Sequence, residues 1–142
     1  MLDRRSPAYR ILQRPREAMA GFPLDRSGRV DWVQALERGL IRPRARVGSV
    51  GKMELRTSEI LMTNTREMPH VVFPHRQHTE WLACSNCHPK PFEAREGANR
   101  ITMDAIFRGE FCGVCHERVA FSTFACERCH SVPHPGSPAR WW

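Results

Sequence analysis

All six cysteines of the chain lie in three copies of one pattern, Cys-x-x-Cys-His. The copies contain Cys84, Cys87 and His88, then Cys112, Cys115 and His116, then Cys126, Cys129 and His130. With 7 histidines in 142 residues, three chance placements of a histidine directly after the second cysteine have a probability on the order of one in ten thousand. The chain must therefore fold around whatever these three motifs hold.

Cys-x-x-Cys-His is the attachment pattern of c-type haem. The two thiols form thioether bonds with the haem, and the histidine binds the iron as an axial ligand. The short spacing is needed because both cysteines and the histidine must meet one porphyrin from the same side. The sequence therefore predicts three covalently bound haem c groups.

Two other uses of the cysteines compete with this prediction. Structural zinc also uses Cys-x-x-Cys pairs, but usually two pairs per ion, so three pairs would leave one unmatched. Six cysteines could also form a disulfide framework in a secreted chain. Neither use requires a histidine directly after each pair, and the three adjacent histidines favour haem.

The length indicates one domain, or one small domain with an extension. Apolar residues are spread thinly and there are 11 prolines, so we expect no large continuous core. The cysteine-bearing part alone is marginal as a hydrophobic fold without further links. We expect a small, mostly irregular fold with short helices and a short N-terminal hairpin, whose core is formed by the three haems.

Three parts can be distinguished along the chain. Residues 1–69 form a basic extension, residues 70–134 carry the haems, and residues 135–142 form a tail that ends in Trp141 and Trp142.

Within the extension, we expect irregular structure through residue 24 and a turn at Asp25–Gly28. A helix is expected at about residues 30–39, with Trp32, Leu36 and Leu40 on one face and Gly39 as its stop. A linker at 41–52 follows, and then a strand or extended arm within 54–62.

The basic charge is concentrated in the extension. Residues 1–69 have a net charge of +6, and residues 70–142 have +1. Six haem propionates would bring the second part to about −5. The arginines are not interleaved with aromatic residues and no nucleic-acid-binding signature is present, so we expect no nucleic-acid partner.

No apolar run is long enough to cross a bilayer, and the first residues lack the apolar core of a signal peptide. Because bacteria attach haem covalently outside the cytoplasmic membrane, we expect a periplasmic or extracellular protein. The export route is not visible in the sequence.

His75 and His78 precede the first motif in the stretch FPHRQH. On a helix, residues three apart have Cβ atoms about 5–6 Å from each other on the same side. The two side chains cannot easily serve opposite faces of one iron, but each can bind a different haem. This arrangement would hold two haems close together.

FPHRQH followed by the three motifs resembles the triheme cytochrome c7 family, relatives of cytochrome c3, over about residues 71–133. The resemblance implies a class III multihaem cytochrome fold and one-electron transfer. It also implies that His75 and His88 bind the first haem, and that His78 and His116 bind the second. Similar domains occur in multihaem nanowire cytochromes.

The third haem, at His130, lacks the distal histidine that the family usually places before the second motif. Some c7-type domains carry a methionine there, and the resemblance suggests Met103. The competing interpretation is a core methionine beside Ile106 and Phe107. His134 and His70 are further candidate ligands, although His134 is only four residues from His130.

Electron transfer between redox proteins, such as other multihaem cytochromes, is the main functional prediction. A second prediction is a structural subunit that polymerises or joins a larger redox complex, and a size measurement would distinguish it from a monomeric carrier. A third is an enzyme with an open third haem, for which Arg108, Glu127 and Arg128 are candidate acid–base groups.

Overall fold

The computed structural model describes residues 4–48 and 51–139. The chain divides into two compact units, Met1–Arg42 and Pro43–Trp142. The division lies earlier than the boundary expected after residue 69, because a strand before that residue pairs with the cysteine-bearing part. The predicted tail tryptophans, Trp141 and Trp142, lie outside the described residues.

The first unit begins with two one-turn helices. They are a 3₁₀ helix at Pro7–Ile11 and the α-helix α1 at Pro15–Ala18. Each begins with proline, whose fixed φ suits the first helical position and whose missing N–H is not needed there. The expectation of irregular structure through residue 24 is therefore wrong at these two turns.

A tight turn and a helix complete the first unit. The predicted turn at Asp25–Gly28 is present, with the Gly28 amide donating to the Asp25 carbonyl at 2.9 Å. The predicted helix is observed as α2, Trp32–Glu37. The Asp31 carboxylate caps it by accepting from the Gln34 amide at 3.0 Å.

The end of α2 is also as predicted, but its buried face is not. Gly39 follows the helix at φ +68°, a conformation that glycine adopts without strain. The side chain that α2 buries is Ala35, whereas Trp32 is 45% and Leu40 is 47% exposed. Ala35, rather than a residue of the face formed by Trp32, Leu36 and Leu40, is therefore the side chain that α2 buries most deeply.

A three-stranded antiparallel sheet organises the second unit. Its strands are β1 (Glu59–Met62), β2 (His70–Pro74) and β3 (His130–Val132), in that order. β1 and β2 form the predicted hairpin. β3 was not predicted because three residues are too few to show an alternating pattern. It places His130 opposite Val71.

Two further helices lie close to the motifs. They are α3 (His75–Thr79), directly after β2, and α4 (Met103–Phe107), before the second motif. The Thr102 hydroxyl caps α4 by accepting from the Ala105 amide at 3.1 Å.

Gly113 of the second motif lies directly against α4. A Cβ atom at this position would be 2.0 Å from the carbonyl oxygen of Ile106. No side chain can replace the glycine without moving the backbone. This contact fixes the second motif on the C-terminal end of α4.

The apolar core is very small, as the composition predicts. Within the described residues, the buried apolar side chains are Ala35 and Ala105, and no large side chain is fully buried. In the second unit, Phe107 is 55%, Phe124 is 74% and Val119 is 84% exposed. Such surfaces are suited to covering by large apolar groups.

Replacing Gly113 by alanine is expected to destabilise the second unit. Overpacking of this kind typically costs about 1–3 kcal/mol, so the thermal midpoint of the purified protein should fall. Gly21→Ala is the control, because a Cβ there meets nothing within 4 Å. Equal midpoints for the two variants would contradict the close packing.

Candidate functional site

Each Cys-x-x-Cys-His motif contains a short 3₁₀ turn. The turns are Cys84–Asn86, Phe111–Val114 and Cys126–Arg128. In each motif the amide of the second cysteine donates to the carbonyl of the first, at 3.2, 3.3 and 3.1 Å respectively. Residues three apart eclipse each other in a 3₁₀ helix, so both thiols of a motif lie on one side, as attachment to one planar group requires.

All six cysteines are free thiols. Burial raises the pKa of Cys87, with a further contribution from Cys115. Burial also raises the pKa of Cys112 to about 11, with a further contribution from Cys129. These mutual contributions show that thiols of successive motifs lie within electrostatic range of each other.

Five histidines share one hydrogen-bonding arrangement, in which the ring atom Nδ1 faces a backbone carbonyl oxygen and Nε2 has no hydrogen-bond partner among the described residues. The pairs are His75 with Ser58 at 3.0 Å, His78 with Pro74 at 2.8 Å, His88 with Phe92 at 2.8 Å, His116 with Phe121 at 3.1 Å, and His130 with Pro69 at 2.7 Å. These are the histidines that the sequence analysis assigns to iron.

The shared arrangement decides which ring nitrogen can bind a metal. A carbonyl oxygen only accepts, so Nδ1 carries the proton and donates it. The lone pair of the neutral ring then lies on Nε2. Among the described residues, none of these five Nε2 atoms has a hydrogen-bond partner. The rings are therefore oriented and protonated as metal-binding imidazoles are.

The rings of His78 and His116 are spaced as two ligands of one metal ion. Their centroids are 6.4 Å apart and their planes are inclined by 65°. Since a metal–imidazole bond is about 2 Å and a ring nitrogen lies about 1 Å from the ring centre, two rings on opposite sides of one ion have centres about 6 Å apart. Burial lowers the pKa of both rings, which favours their neutral form.

Phe73 packs against both histidines of α3. Its ring centroid is 4.3 Å from that of His78 and 5.0 Å from that of His75. Phe73 is also 6.5 Å from Phe92, which is 5.9 Å from Phe111 at the start of the second motif. These three aromatic rings connect the surroundings of the first and second motifs.

α3 is held in place by the segment just before β1. The His75 amide donates to the Ser58 carbonyl at 3.2 Å. The buried Thr79 hydroxyl donates to the His75 carbonyl at 2.9 Å and accepts from the Arg56 amide at 3.1 Å. His75 and His78 therefore share one helical turn whose position is set by tertiary contacts.

Met103, suggested for the third haem, is the first residue of α4 and is 41% exposed. The residue that α4 buries is Ala105, at 5% exposed. Met103 is therefore the more exposed of these two residues of α4.

His70 and His134, which the sequence also offers as ligands of the third haem, contact each other. Their rings are stacked, with centroids 4.3 Å apart and planes inclined by 14°. Both nitrogens of His134 face carbonyl oxygens, Nδ1 that of Pro135 and Nε2 that of Met68, each at 2.9 Å. The His134 ring donates to at least one of these carbonyls, and both of its nitrogens lie against protein atoms.

Two observations concern the other uses of the cysteines, structural zinc and disulfides. Within residues 4–48 and 51–139, no group of three or more His, Cys, Asp or Glu side chains is arranged to hold a metal ion alone. The six free thiols also do not form the disulfide framework. In the same part of the chain, no helix is both long and apolar enough to span a membrane.

Sequence reasoning missed the groups that orient the histidines. The carbonyls of Ser58 and Pro69 belong to residues far from their partners in the chain, and every residue has a carbonyl. The sequence gives only a weak indication for Phe73 and Thr79, namely that they lie just before and just after the His75–His78 pair. Only the folded backbone shows which atoms they meet.

Replacing Thr79 by valine is expected to loosen α3. The substitution keeps the shape but leaves the Arg56 amide without its acceptor in the protein, a loss of about 1 kcal/mol. The thermal midpoint should therefore fall, whereas Thr79→Ser, which keeps the hydroxyl, should remain near the parent. If the two variants unfolded together, the hydroxyl would not be the stabilising contact.

The chain is similar to a known protein family and to a solved structure. A family model described as "Cytochrome c7 and related cytochrome c" matches residues 71–131. A solved structure, the C-terminal hexaheme fragment of GSU1996, is similar at 30% identity and a TM-score of 0.49, covering 54% of this chain and 49% of its own. The chain thus spans about half the length of that structure. The comparison of this chain with curated proteins found no match.

The matched family consists of electron carriers that hold haem c covalently, and they are not typically enzymes. The match covers all three motifs together with His75 and His78. Over residues 71–131, the chain is therefore similar to the family of cytochrome c7 and related cytochromes c.

Proposed function

We propose that this chain is a one-electron carrier that holds three haem c groups close together. The observation that carries the proposal is the set of five imidazoles with Nδ1 bonded to a carbonyl and Nε2 open. Each motif would hold one haem through its two thiols and its histidine. Haem iron supplies a centre that gains or loses one electron and whose potential depends on its axial ligands.

The second haem has the strongest geometric support. The 6.4 Å separation of the His78 and His116 rings leaves room for one iron between them. For the first haem, His75 would be the partner of His88. Since His75 and His78 lie in one turn of α3, they would hold the first and second haems beside each other.

For the third haem, we propose Met103 as the partner of His130. The Met103 side chain is exposed, so a bound haem could cover it. Its thioether sulfur is also a soft ligand that suits haem iron. The engagement of both His134 nitrogens argues against His134. A methionine ligand would give this haem a higher potential than its neighbours.

The remaining task of the chain is to shield the irons. Axial side chains on both faces leave no position for water or a small ligand. Exposed apolar side chains, among them Phe107, Val114, Val119 and Phe124, would cover porphyrin surface, as the small core requires.

The candidate acid–base groups of the enzyme interpretation are partly engaged elsewhere. Arg108 is paired with Asp104 and Glu110. The Arg128 guanidinium lies 4.0 Å from the centre of the Phe121 ring. Only Glu127 of the three remains without a described role, which favours the electron carrier.

The partners that we propose are other redox proteins, such as multihaem cytochromes, in the periplasm or outside the cell. Attachment of three haems would make the part from residue 70 onward acidic, whereas the first 69 residues are basic. Opposite charges on carrier and partner speed association, so either part could guide docking.

The purified protein is expected to contain three haems and to take up three electrons. Reductive titration followed by optical absorption gives the electron count, and a mass measurement gives the haem count. The double variant Cys126→Ala/Cys129→Ala should contain two haems and take up two electrons. A protein without haem absorption would refute the proposed function.

Replacing Met103 by alanine is expected to remove a sulfur-to-iron charge-transfer band from the far-red spectrum of the oxidised protein. High-spin iron should appear at one haem because its distal position opens. Met62→Leu, in β1, is the control and should keep the band. If the parent protein lacked the band, Met103 would not be a ligand.

A further inference from the structure

The second histidine pair, His70 and His134, lies beside the backbone carbonyl of Met68. The Met68 oxygen accepts from the Thr65 hydroxyl at 2.8 Å and faces His134 Nε2 at 2.9 Å. His70 Nδ1 lies 3.0 Å from the same Thr65 hydroxyl, and the His70 ring stacks on that of His134. We call this group, Thr65, Met68, His70 and His134, the Met68 clasp.

The Met68 clasp encloses the residue that holds His130. Pro69 lies between Met68 and His70, is buried, and its carbonyl accepts from His130 Nδ1 at 2.7 Å. The ring of Pro69 fixes its own φ. With Met68 held on one side and His70 on the other, the Pro69 carbonyl has little freedom to turn.

His130 differs from most of the other oriented histidines in the origin of its acceptor. The acceptors of His78, His88 and His116 lie four, four and five residues away along the chain. The acceptor of His130 lies 61 residues away. A local turn can supply the first three hydrogen bonds, but the last one depends on tertiary structure.

We infer that His134 and Thr65 are positioning residues for the third haem, which they reach through Met68 and Pro69 without binding iron. The inference rests on the proposed function, since it takes His130 as an iron ligand. A hydrogen bond from Nδ1 to a carbonyl raises the basicity of a ligating imidazole. A more basic ligand favours the ferric iron, so an intact clasp holds the potential of the third haem down.

The test is a potentiometric titration of the holoprotein and its variants, followed by absorption. In His134→Ala, one of the three midpoint potentials should rise while the other two stay, and the iron should remain low-spin. In His134→Gln, an amide N–H can still reach the Met68 oxygen, so the potential should return toward that of the parent. The Cys126→Ala/Cys129→Ala variant identifies the potential that belongs to the third haem.

A second pair of variants tests the clasp without touching a histidine. Thr65→Val removes the hydroxyl at nearly constant shape and should raise the same potential, whereas Thr65→Ser should leave it unchanged. Val132→Ala is the control for general loosening, since Val132 lies opposite His70 in the sheet but outside the clasp.

Three outcomes would overturn the inference. High-spin iron in His134→Ala would make His134 an axial ligand. Unchanged potentials in both His134→Ala and Thr65→Val would show that the Met68 clasp does not influence the potential of the third haem. A shift of the same potential by the same amount in Val132→Ala would show that loosened packing, and not the clasp, causes the change. A parent protein without three haems would instead refute the proposed function, so the two failures can be told apart.

Discussion

The hydrogen bond from an imidazole Nδ1 to a backbone carbonyl is the interaction on which the site depends. It occurs at five histidines from different parts of the second unit, and at each it leaves Nε2 as the open ring nitrogen. A free histidine side chain can rotate and can exchange its proton between the two nitrogens. In the folded chain, the hydrogen bond to the backbone carbonyl restricts the rotation of each ring and keeps the proton on Nδ1.

These acceptors come from structure that has almost no apolar core to support it. The buried residues of the second unit include Pro69, Thr79, Ala105, Gly113 and His130, and four of them act through close backbone or hydrogen-bonding contacts. Thr79 fixes α3, Gly113 fixes the second motif on α4, and Pro69 orients His130. Polar and steric contacts thus set the geometry, while the exposed aromatic side chains leave apolar surface for bound groups to cover.

Much of the architecture could be predicted from local patterns. The expected helix at about residues 30–39, with Gly39 as its stop, matches α2 to within about two residues at each end, because a stop depends on near neighbours. The hairpin of β1 and β2 was expected, but β3 was not, since a three-residue strand has no periodicity. The residue that α2 buries most deeply, Ala35, lies outside the apolar face expected from the sequence, because burial depends on what a helix meets.

The sequence by itself determined the chemistry: three cysteine pairs, each with its histidine, and the His75–His78 pair before them. Covalent attachment depends on residue type and short spacing, and both are written in the chain. Only the tertiary structure decided which carbonyl each ring meets, that His78 lies across from His116, and that His134 is turned toward Met68. Those relations join atoms up to 66 residues apart, and backbone carbonyls, which every residue carries, leave no mark in a sequence.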